Sequence, residues 1–445
     1  MCSILIDASI SKSESQAHTI ALTKRMVHVR SRITRRLSPA TAIAACLALA
    51  VTSAPASASD PEPAKVEGSY AVFNTPGENG ERDFAVEEHI IELIDGTPSG
   101  AEIHGSMFSW TRDTVAQALA AAQERGVEVS LAIDAEGNNG STNNDPDNEA
   151  IKTLKGAGLT ELVFCTGDGD SDRQQTGCIA DRDYSINHNK LFAFSETGDM
   201  TNVVVSASQN MTNSQNNLFN NAVVIHGDAQ LYAYFGTHFD NLLAQKKNND
   251  YFNSDDGYFR TEDNSVTAYM FPRADTSGGT DVEAKSDTVN LVLGYINAQP
   301  SDCALDVVQA QFTSPRMAVA DQLVRIAKLG CTVRVVYGSM SDSVLSTLSG
   351  TENLEVKRFE DNSSGNENVV SVHSKYLLFE GKYNETADRQ IVFTGSHNLT
   401  GPSLRNHDEN LLKIENATTT GDFAENFETV WSRAKCESPE TGACP

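Results

Sequence analysis

The sequence predicts an α/β fold in which one structural unit occurs twice along the chain. Two observations lead to this prediction. A strand–helix–strand pattern occurs in the first half of the chain and again in the second half. Each copy is followed by the same pair of short motifs, His-x-Lys and then Ser-x-Asn. Because recurrence of this kind is the mark of an internal repeat, we expect two similar lobes, each with a mixed sheet flanked by helices.

The first strand–helix–strand unit covers residues 101–133. Residues 101–108 alternate between apolar and polar side chains, which is typical of a half-buried strand. Residues 111–125 form an alanine-rich amphipathic pattern, and Gly126 follows where a left-handed glycine would end the helix. Residues 127–133 then predict a second strand. Strand, helix and strand in this order predict parallel pairing through a right-handed crossover.

The second unit has the same order of elements. Its strands are predicted at 304–312 and 331–337, with a helix at 316–329 between them. Ser314 and Pro315 suit the cap and the first turn of that helix. After each unit comes a polar loop, at 136–148 and at 361–368, which we interpret as surface loops. A polar linker is predicted at 245–257, and a terminal helix at 423–435.

The His-x-Lys motifs lie on predicted strands at 187–194 and 370–379. They are His188 with Lys190 and His373 with Lys375. On a strand, residues two apart point to the same face, so each histidine is expected to project together with its lysine. A neutral imidazole can attack phosphorus or accept a proton, and a lysine supplies a positive charge for a phosphate oxygen.

The Ser-x-Asn motifs follow predicted strands at 202–205 and 390–393. They are Ser208 with Asn210 and Ser396 with Asn398. Serine and asparagine provide neutral hydrogen-bond donors for phosphate oxygens. A last strand is predicted after each motif, at 222–225 and 411–414. Two such halves would place two histidines, two lysines and two sets of donors around one phosphate.

This set of residues suits a double displacement at phosphorus. One histidine would attack, and the other would protonate the leaving alcohol and then activate the incoming water or alcohol. The motifs alone do not decide which histidine attacks. We expect no metal ion or other cofactor, because the lysines supply the positive charge that a metal would supply.

The motifs resemble those of the phospholipase D superfamily, whose pattern is His-x-Lys-x4-Asp followed by Gly-Ser/Gly-x-Asn in two copies. The resemblance extends from about Lys65 to Trp431. The sequence departs from the pattern at three positions, where the aspartates correspond to Ser195 and Glu380 and one glycine to Ala207. The resemblance implies two α/β lobes related by a pseudo-twofold axis, with a single site at their interface.

The resemblance also implies roles for individual residues. His188 is expected to be the nucleophile, forming a phosphohistidine, and His373 the general acid and base. Glu409 lies where the family often has an acidic residue that orients a catalytic histidine, and the matching position in the first copy is Asn220. Which histidine Glu409 contacts stays open, as does the alternative that it is a solvated charge before a strand.

Five other residues lie near the predicted helix starts. We expect Arg112 and Arg316 to be solvent-exposed residues of the first helical turn rather than ligands. Phe108, Trp110 and Phe312 could line a lipid pocket, but we expect them to pack in the core.

Residues 1–58 are predicted to be a signal peptide with a possible over-extended start. A basic segment containing Arg35 and Arg36 precedes a short apolar stretch, and residues 56–58 suit a cleavage site. Met26 would open this pattern better than Met1. An N-terminal membrane anchor is the alternative. We predict an N-terminal lobe at 59–250, a C-terminal lobe at 251–445 and a secreted protein.

The cysteines outside residues 1–58 fall into neighbouring pairs. We expect disulfides in an exported chain, at Cys165–Cys178, Cys303–Cys331 and Cys436–Cys444. A zinc site is the alternative, but it lacks the usual C-x-x-C spacing.

The chain is strongly acidic, with a formal net charge of −26. Such a surface repels nucleic acids. The favoured hypothesis is a secreted phospholipase D-type phosphodiesterase that converts glycerophospholipids to phosphatidic acid and an alcohol. We expect it to meet the phospholipid substrate at a membrane or micelle surface. The alternatives are a secreted metal-independent nuclease or other phosphodiesterase, and a non-catalytic binding protein. A monomer is expected, because one chain carries both motif copies.

Overall fold

A computed structural model of the chain has the predicted α/β architecture with two similar lobes. The structure describes residues 66–78, 80–135, 148–166, 175–275, 284–297, 303–359 and 369–436. The predicted signal peptide and both polar loops, except Asn148, lie outside these residues. No helix within the described ranges is both long enough and apolar enough to cross a membrane.

Within the described residues, the two lobes contain the following elements. Those of the N-terminal lobe are β1 (Gly68–Asn74), α1 (Ala85–Asp95), β2 (Glu102–Met107), α2 (Asp113–Glu124), β3 (Glu128–Asp134), α3 (Glu149–Gly156), β4 (Glu161–Cys165), β5 (Ile186–Asn187), β6 (Lys190–Thr197), β7 (Met200–Ala207), β8 (Leu218–His226) and α4 (Ala229–Leu243). Those of the C-terminal lobe are β9 (Tyr258–Arg260), β10 (Val266–Met270), α5 (Thr288–Leu293), β11 (Ala304–Phe312), α6 (Met317–Lys328), β12 (Thr332–Met340), α7 (Asp342–Leu348), β13 (Leu354–Arg358), β14 (Ser371–Val372), β15 (Lys375–Tyr383), β16 (Thr386–Gly395), α8 (Gly401–Arg405), β17 (His407–Asp408), β18 (Asn410–Ile414), α9 (Ala417–Arg433) and β19 (Lys435–Cys436).

The two main sheets have the same strand order. In the first it is β1-β8-β7-β6-β2-β3-β4, and in the second β10-β18-β16-β15-β11-β12-β13, with β9 and β19 added at the edges. In both sheets the strand–helix–strand units pair in parallel, β2 with β3 and β11 with β12, and the motif-bearing strands pair antiparallel. The predicted internal repeat and its parallel crossovers are therefore confirmed.

Among the described residues, three apolar cores lie between the layers. One core packs α1, α2 and α3 on the outer face of the first sheet, and a second packs α5, α6 and α7 on the outer face of the other sheet. The third contains side chains of both sheets together with those of α4 and α9. Because burial of apolar surface stabilises each of these contacts, α4 and α9 hold the two lobes together as the middle layer.

The structure corrects the predictions for two helices and for the linker. The helix predicted at 316–329 starts with a 3-10 turn over Ser314–Arg316, and its α-helical part begins at Met317. The terminal helix begins earlier than predicted, at Ala417. The segment predicted as a polar linker contains Tyr251, which is buried and accepts a hydrogen bond from Asn241 Nδ2 at 2.9 Å.

The strands predicted to carry each His-x-Lys motif are interrupted at the histidine. The chain leaves β5, which pairs with β17 of the other lobe, and enters β6 in the first main sheet. In the second copy it leaves β14, which pairs with β8 of the other lobe, and enters β15. The prediction of continuous strands was wrong because each short strand pairs across the lobes. Both histidines therefore lie at the lobe interface.

Two of the predicted disulfides are present. Cys165 bonds to Cys178 and Cys303 bonds to Cys331. The third predicted pair includes Cys444, which lies outside the described residues.

Candidate active site

His188 lies in the gap between β5 and β6 and is buried. Its main-chain N–H donates to the Asp408 carbonyl at 3.0 Å, which fixes the chain at this point. Its Nδ1 lies 2.9 Å from Glu409 Oε1, and the Glu409 side chain is fully buried. Burial lowers the pKa of His188 to about 3, against the opposing effect of the Glu409 charge. At neutral pH the ring is therefore neutral.

The Glu409 carboxylate determines which ring nitrogen of His188 carries the proton. Burial alone would raise the pKa of Glu409, but the nearby His188 holds it well below its ordinary range. An ionised carboxylate only accepts hydrogen bonds, so the Nδ1 of His188 must donate to it. The lone pair of the neutral ring is then on Nε2. That is the arrangement required of a nucleophile.

His373 occupies the equivalent place in the second copy with a neutral partner. Its Nδ1 lies 3.1 Å from Asn220 Oδ1. Ser208 Oγ donates to the same oxygen at 2.8 Å, and Asn220 Nδ2 donates to the Gln215 carbonyl at 2.9 Å, so the amide is held with its oxygen toward His373. Burial and the charge of Lys375 hold the pKa of His373 well below its ordinary value of 6.5.

The two lysines are buried beside their histidines. Lys190 Nζ donates to the His188 carbonyl at 2.7 Å, and Lys375 Nζ donates to the His373 carbonyl at 2.6 Å. Burial lowers the pKa of Lys375 to about 7 and that of Lys190 well below its ordinary range. The Lys190 charge also lowers the pKa of His373, so the two motif copies interact electrostatically. An anionic phosphate between them would favour both charged lysines.

Phe108 forms an apolar wall of this site. Its ring centroid lies 5.2 Å from that of His188 and 5.1 Å from Lys190 Nζ. Phe108, Trp110 and Phe312 are all buried, as expected of core residues.

The two copies exchange hydrogen bonds symmetrically across the lobe interface. Ser206 Oγ donates to Asn410 Oδ1 at 2.6 Å, and in the equivalent contact Asn221 Nδ2 donates to Thr394 Oγ1 at 2.9 Å. The histidines are held in the same way across the interface, because Glu409 contacts His188 and Asn220 contacts His373. Each half of the site is therefore positioned by the other half.

The serines of the Ser-x-Asn motifs act as supports in this network. Ser208 holds Asn220, as described above, and Ser396 Oγ accepts hydrogen bonds from the main chain and the side chain of Asn410, at 3.1 and 3.2 Å. Asn210 and Asn398 are buried, and their side-chain oxygens make no hydrogen bond within the described part of the chain. Each oxygen can accept a hydrogen bond from a ligand.

Two supporting residues were missed by the sequence reasoning. Asn410 Nδ2 donates to Asn189 Oδ1 at 3.0 Å. Asp408 accepts main-chain hydrogen bonds from residues 178, 179 and 180 at 2.6, 3.1 and 2.6 Å, and burial raises its pKa to about 7. The signal was a run of polar residues, 407–410, immediately before an apolar strand. These hydrogen bonds hold the segment that carries Cys178 against Asp408, which directly precedes Glu409 in the chain.

The departures from the family pattern keep the local geometry. Ser195 Oγ accepts a hydrogen bond from the Glu102 N–H at 2.8 Å, which is an acceptor role that serine can fill. Gly395 has φ +156°, and a Cβ there would lie 2.3 Å from the Asn410 carbonyl oxygen. Ala207, at the equivalent position, has no positive φ, so an alanine is tolerated there. Glu380 is exposed on its strand.

The expectation that Arg112 and Arg316 are exposed residues was wrong, because Arg316 is fully buried and Arg112 is half-buried. The Arg316 guanidinium donates to both carboxylate oxygens of Asp287, at 2.5 and 2.8 Å, and to His397 Nε2 at 2.9 Å. Arg112, whose side chain is 22% exposed, is paired with the buried Glu87 at 2.8 Å. Arg316 is thus a support for the turn that carries Ser396 and Asn398.

Replacing Asp287 with asparagine is expected to destabilise the protein by about 3–5 kcal/mol, because it leaves the buried Arg316 charge without its counterion. Urea denaturation would measure the loss. Glu149→Gln is the matched control, because Glu149 pairs with Lys152 on the exposed face of α3 and exposed pairs contribute little. Equal stability of Asp287→Asn and wild type would contradict the prediction.

Comparisons with known proteins agree with this architecture. A sequence profile described as cardiolipin synthase, PLD-like domain, matches residues 90–243 and 298–431. No curated protein sequence matched the chain.

Two solved structures share the fold. The phosphatidylserine synthase of Haemophilus influenzae has a TM-score of 0.53 at 12% identity, covering 79% of this chain and 85% of that protein. The polyphosphate kinase of Porphyromonas gingivalis has a TM-score of 0.50 at 13% identity, covering 84% of this chain. The match spans about half, 53%, of the kinase. Because the family profile covers both lobes and both His-x-Lys motifs, the chain belongs to the phospholipase D superfamily of phosphodiester-acting enzymes.

Proposed function

We propose that this protein is a phospholipase D-type phosphodiesterase that cleaves glycerophospholipids to phosphatidic acid and an alcohol. The observation that carries the proposal is the pairing of His188 Nδ1 with the buried Glu409 carboxylate at 2.9 Å. It leaves His188 Nε2 with a lone pair beside a second histidine and two lysines. A nucleophilic imidazole, a second histidine for proton transfer and two cations for the phosphate oxygens are the groups that phosphoryl transfer requires.

In the first step, His188 Nε2 attacks phosphorus. The bond between phosphorus and the headgroup oxygen breaks, and the leaving oxygen takes a proton from His373. The resulting phosphohistidine carries phosphorus on Nε2 and a proton on Nδ1, so its ring is cationic. The Glu409 carboxylate stabilises this cation at the moment it forms.

In the second step, His373 accepts a proton from water as the water oxygen attacks phosphorus. The bond between phosphorus and His188 Nε2 breaks, which releases phosphatidic acid and regenerates the neutral imidazole of His188. An alcohol in place of water would give headgroup exchange by the same route. Lys190, Lys375, Asn210 and Asn398 hold the phosphate oxygens throughout.

The lipid substrate is supported by the charge of the chain. A formal net charge of −26 disfavours approach of a nucleic acid, whose phosphates require a basic surface. We propose that the protein is secreted, acts as a monomer and meets its substrate at a membrane or micelle surface. The two disulfides suit an oxidising compartment.

The decisive experiment presents both substrate classes to the purified protein in EDTA. Phosphatidylcholine vesicles with ethanol are assayed for phosphatidic acid and phosphatidylethanol, and plasmid DNA is assayed for nicking, with His188→Asn run in parallel. Both lipid products in wild type and neither in the variant would support the proposal. Nicked DNA with unchanged lipid would replace it with a nuclease, and no product from either substrate would overturn the lipid assignment.

Replacing Asn220 with aspartate is expected to move the alkaline limb of kcat/KM to higher pH. His373 must hold a proton to serve as the acid, and its low pKa means that this proton is lost at low pH in the wild type. A carboxylate at position 220 favours the imidazolium and raises the His373 pKa by about 1 unit or more. A pH series of kcat/KM measures the shift. Asn213→Asp is the control, because Asn213 is half-buried in a nearby turn and its Oδ1 accepts a hydrogen bond from Arg112 at 3.3 Å rather than from a histidine. An unmoved limb in Asn220→Asp would contradict the role of His373.

A further inference from the structure

His407 lies beside the active site, but the proposed mechanism does not use it. Its ring centroid is 5.9 Å from that of His188, and its Nδ1 is 3.7 Å from Glu409 Oε1. That distance is too long for a hydrogen bond of normal geometry. His407 Nδ1 is buried and makes no hydrogen bond within the described ranges. A buried imidazole nitrogen without a partner needs an explanation.

A second buried atom at the same place lacks a partner. Glu409 is fully buried, and its Oε2 makes no hydrogen bond among the described residues. His188, His407 and Glu409 each offer one ligand atom, and these atoms all lie within 4.8 Å of one another. Two imidazole nitrogens and a carboxylate oxygen form a donor set that zinc binds in proteins, with a fourth position left for water.

We infer that His188, His407 and Glu409 form a binding site for a divalent transition-metal ion, with Zn²⁺ as the test case, and that occupation of this site inactivates His188. The inference goes beyond the proposed function, because metal binding requires no substrate. Its consequence for catalysis rests on His188 being the nucleophile.

Inactivation follows from the chemistry of a neutral imidazole, which has one proton and one lone pair. In the metal-free site the Nδ1 of His188 holds the proton and Nε2 holds the lone pair. A metal ion bound at Nδ1 takes a lone pair there, so the proton moves to Nε2. No lone pair is then left on the attacking nitrogen. Glu409 turns from hydrogen-bond acceptor to metal ligand without any change in its charge.

The surroundings set the selectivity and the strength of the site. Mg²⁺ and Ca²⁺ prefer six or more oxygen ligands and would not be satisfied by this donor set. Zn²⁺, Ni²⁺ and Cu²⁺ accept imidazole readily. Lys190 and Lys375 oppose any cation here when they are charged, so binding is weaker than at a structural zinc site. The ion acts as a reversible inhibitor.

The binding test measures heat on titration of Zn²⁺ into the purified, tag-free protein. One equivalent is expected to bind to the wild type, Mg²⁺ is expected not to bind, and His407→Gln should bind Zn²⁺ at least about tenfold more weakly, since one ligand is lost. His89→Gln is the matched control, because His89 faces Glu92 at 3.1 Å on the surface of α1 without forming a three-ligand group among the described residues. It should bind as the wild type does.

Thermal unfolding provides a second measurement that does not depend on activity. Zn²⁺ should raise the melting temperature of the wild type and of His89→Gln, but not that of His407→Gln. Circular dichroism of His407→Gln establishes that the variant is folded. Absence of Zn²⁺ binding to the wild type, or equal binding to His407→Gln, would overturn the inference.

The catalytic consequence is tested by inhibition, with each variant compared with its own metal-free rate. Zn²⁺ should inhibit the wild type and His89→Gln, and inhibit His407→Gln only at about tenfold higher concentration or more. EDTA should restore the rate. Binding without inhibition would overturn the inactivation of His188. If no substrate is cleaved at all, the proposed function fails, while calorimetry and thermal unfolding still decide the metal site.

Discussion

His188→Asn is expected to lower kcat for phosphodiester cleavage by at least about 10⁴-fold, the scale on which removal of a nucleophile acts. The asparagine side chain is close in size to the inner part of the imidazole and can still meet Glu409, so the fold should be kept. It has no ring nitrogen to attack phosphorus. A steady-state assay with phosphatidylcholine measures the loss.

The nucleophile is identified by trapping the covalent intermediate. With a lipid radiolabelled at phosphorus, acid-labile label should remain on quenched wild type and on His373→Asn, but not on His188→Asn. The His373 variant should hold the label longer, because no base activates water in the second step. Label on His188→Asn and none on His373→Asn would reverse the two roles. His226→Asn controls for the loss of any histidine, because His226 lies at the end of β8, away from Asn220 near its start.

The elements that the sequence predicts well are those determined by neighbours in the chain. The strand–helix–strand units follow from local periodicity, and their boundaries agree within a few residues at β2, α2 and β3. The same holds for the His-x-Lys and Ser-x-Asn motifs, whose residues are fixed by spacing. Two disulfides were also found this way, because each closes a short stretch of chain.

The contacts that the sequence could not provide are those that cross the lobe interface. The residues of the His188–Glu409 pair lie in different lobes and far apart in the sequence, and no periodicity connects them. The strand interruption at each histidine has the same origin, since β5 and β14 pair with strands of the opposite lobe. Burial of Arg316 was missed because its partner, Asp287, precedes it outside the repeated unit.

These crossed contacts also explain why the two halves of the site can differ in chemistry while sharing a backbone. Glu409 and Asn220 occupy equivalent positions after equivalent strand pairs, and each accepts a hydrogen bond from the histidine of the other copy. A charged partner stabilises a cationic ring, and a neutral amide does so less. The sequence difference at one position agrees with the proposed roles, in which His188 takes the covalent step and His373 transfers protons.

Glu409→Gln is expected to lower kcat by about 10²–10⁴-fold with little change in KM, the range spanned by loss of a residue that orients a metal-ligating or catalytic histidine. Glutamine removes the negative charge that stabilises the cationic phosphohistidine. Its NH₂ group can also donate to His188 Nδ1, which would place the ring proton on Nε2 and block attack. We expect the change in kcat rather than in KM, because Glu409 acts through His188 and does not bind the substrate.

Separate measurements distinguish this positioning role from simple damage to the fold. Glu409→Asp keeps the charge and should recover part of the kcat lost in Glu409→Gln, whereas a merely structural role would make the shorter side chain worse. Glu92→Gln is the matched control, because Glu92 faces His89 at 3.1 Å on the exposed side of α1, and it should leave both constants unchanged. A rise in KM at constant kcat in Glu409→Gln would mean that the carboxylate contributes to substrate binding. The different roles proposed for His188 and His373 would then need another explanation.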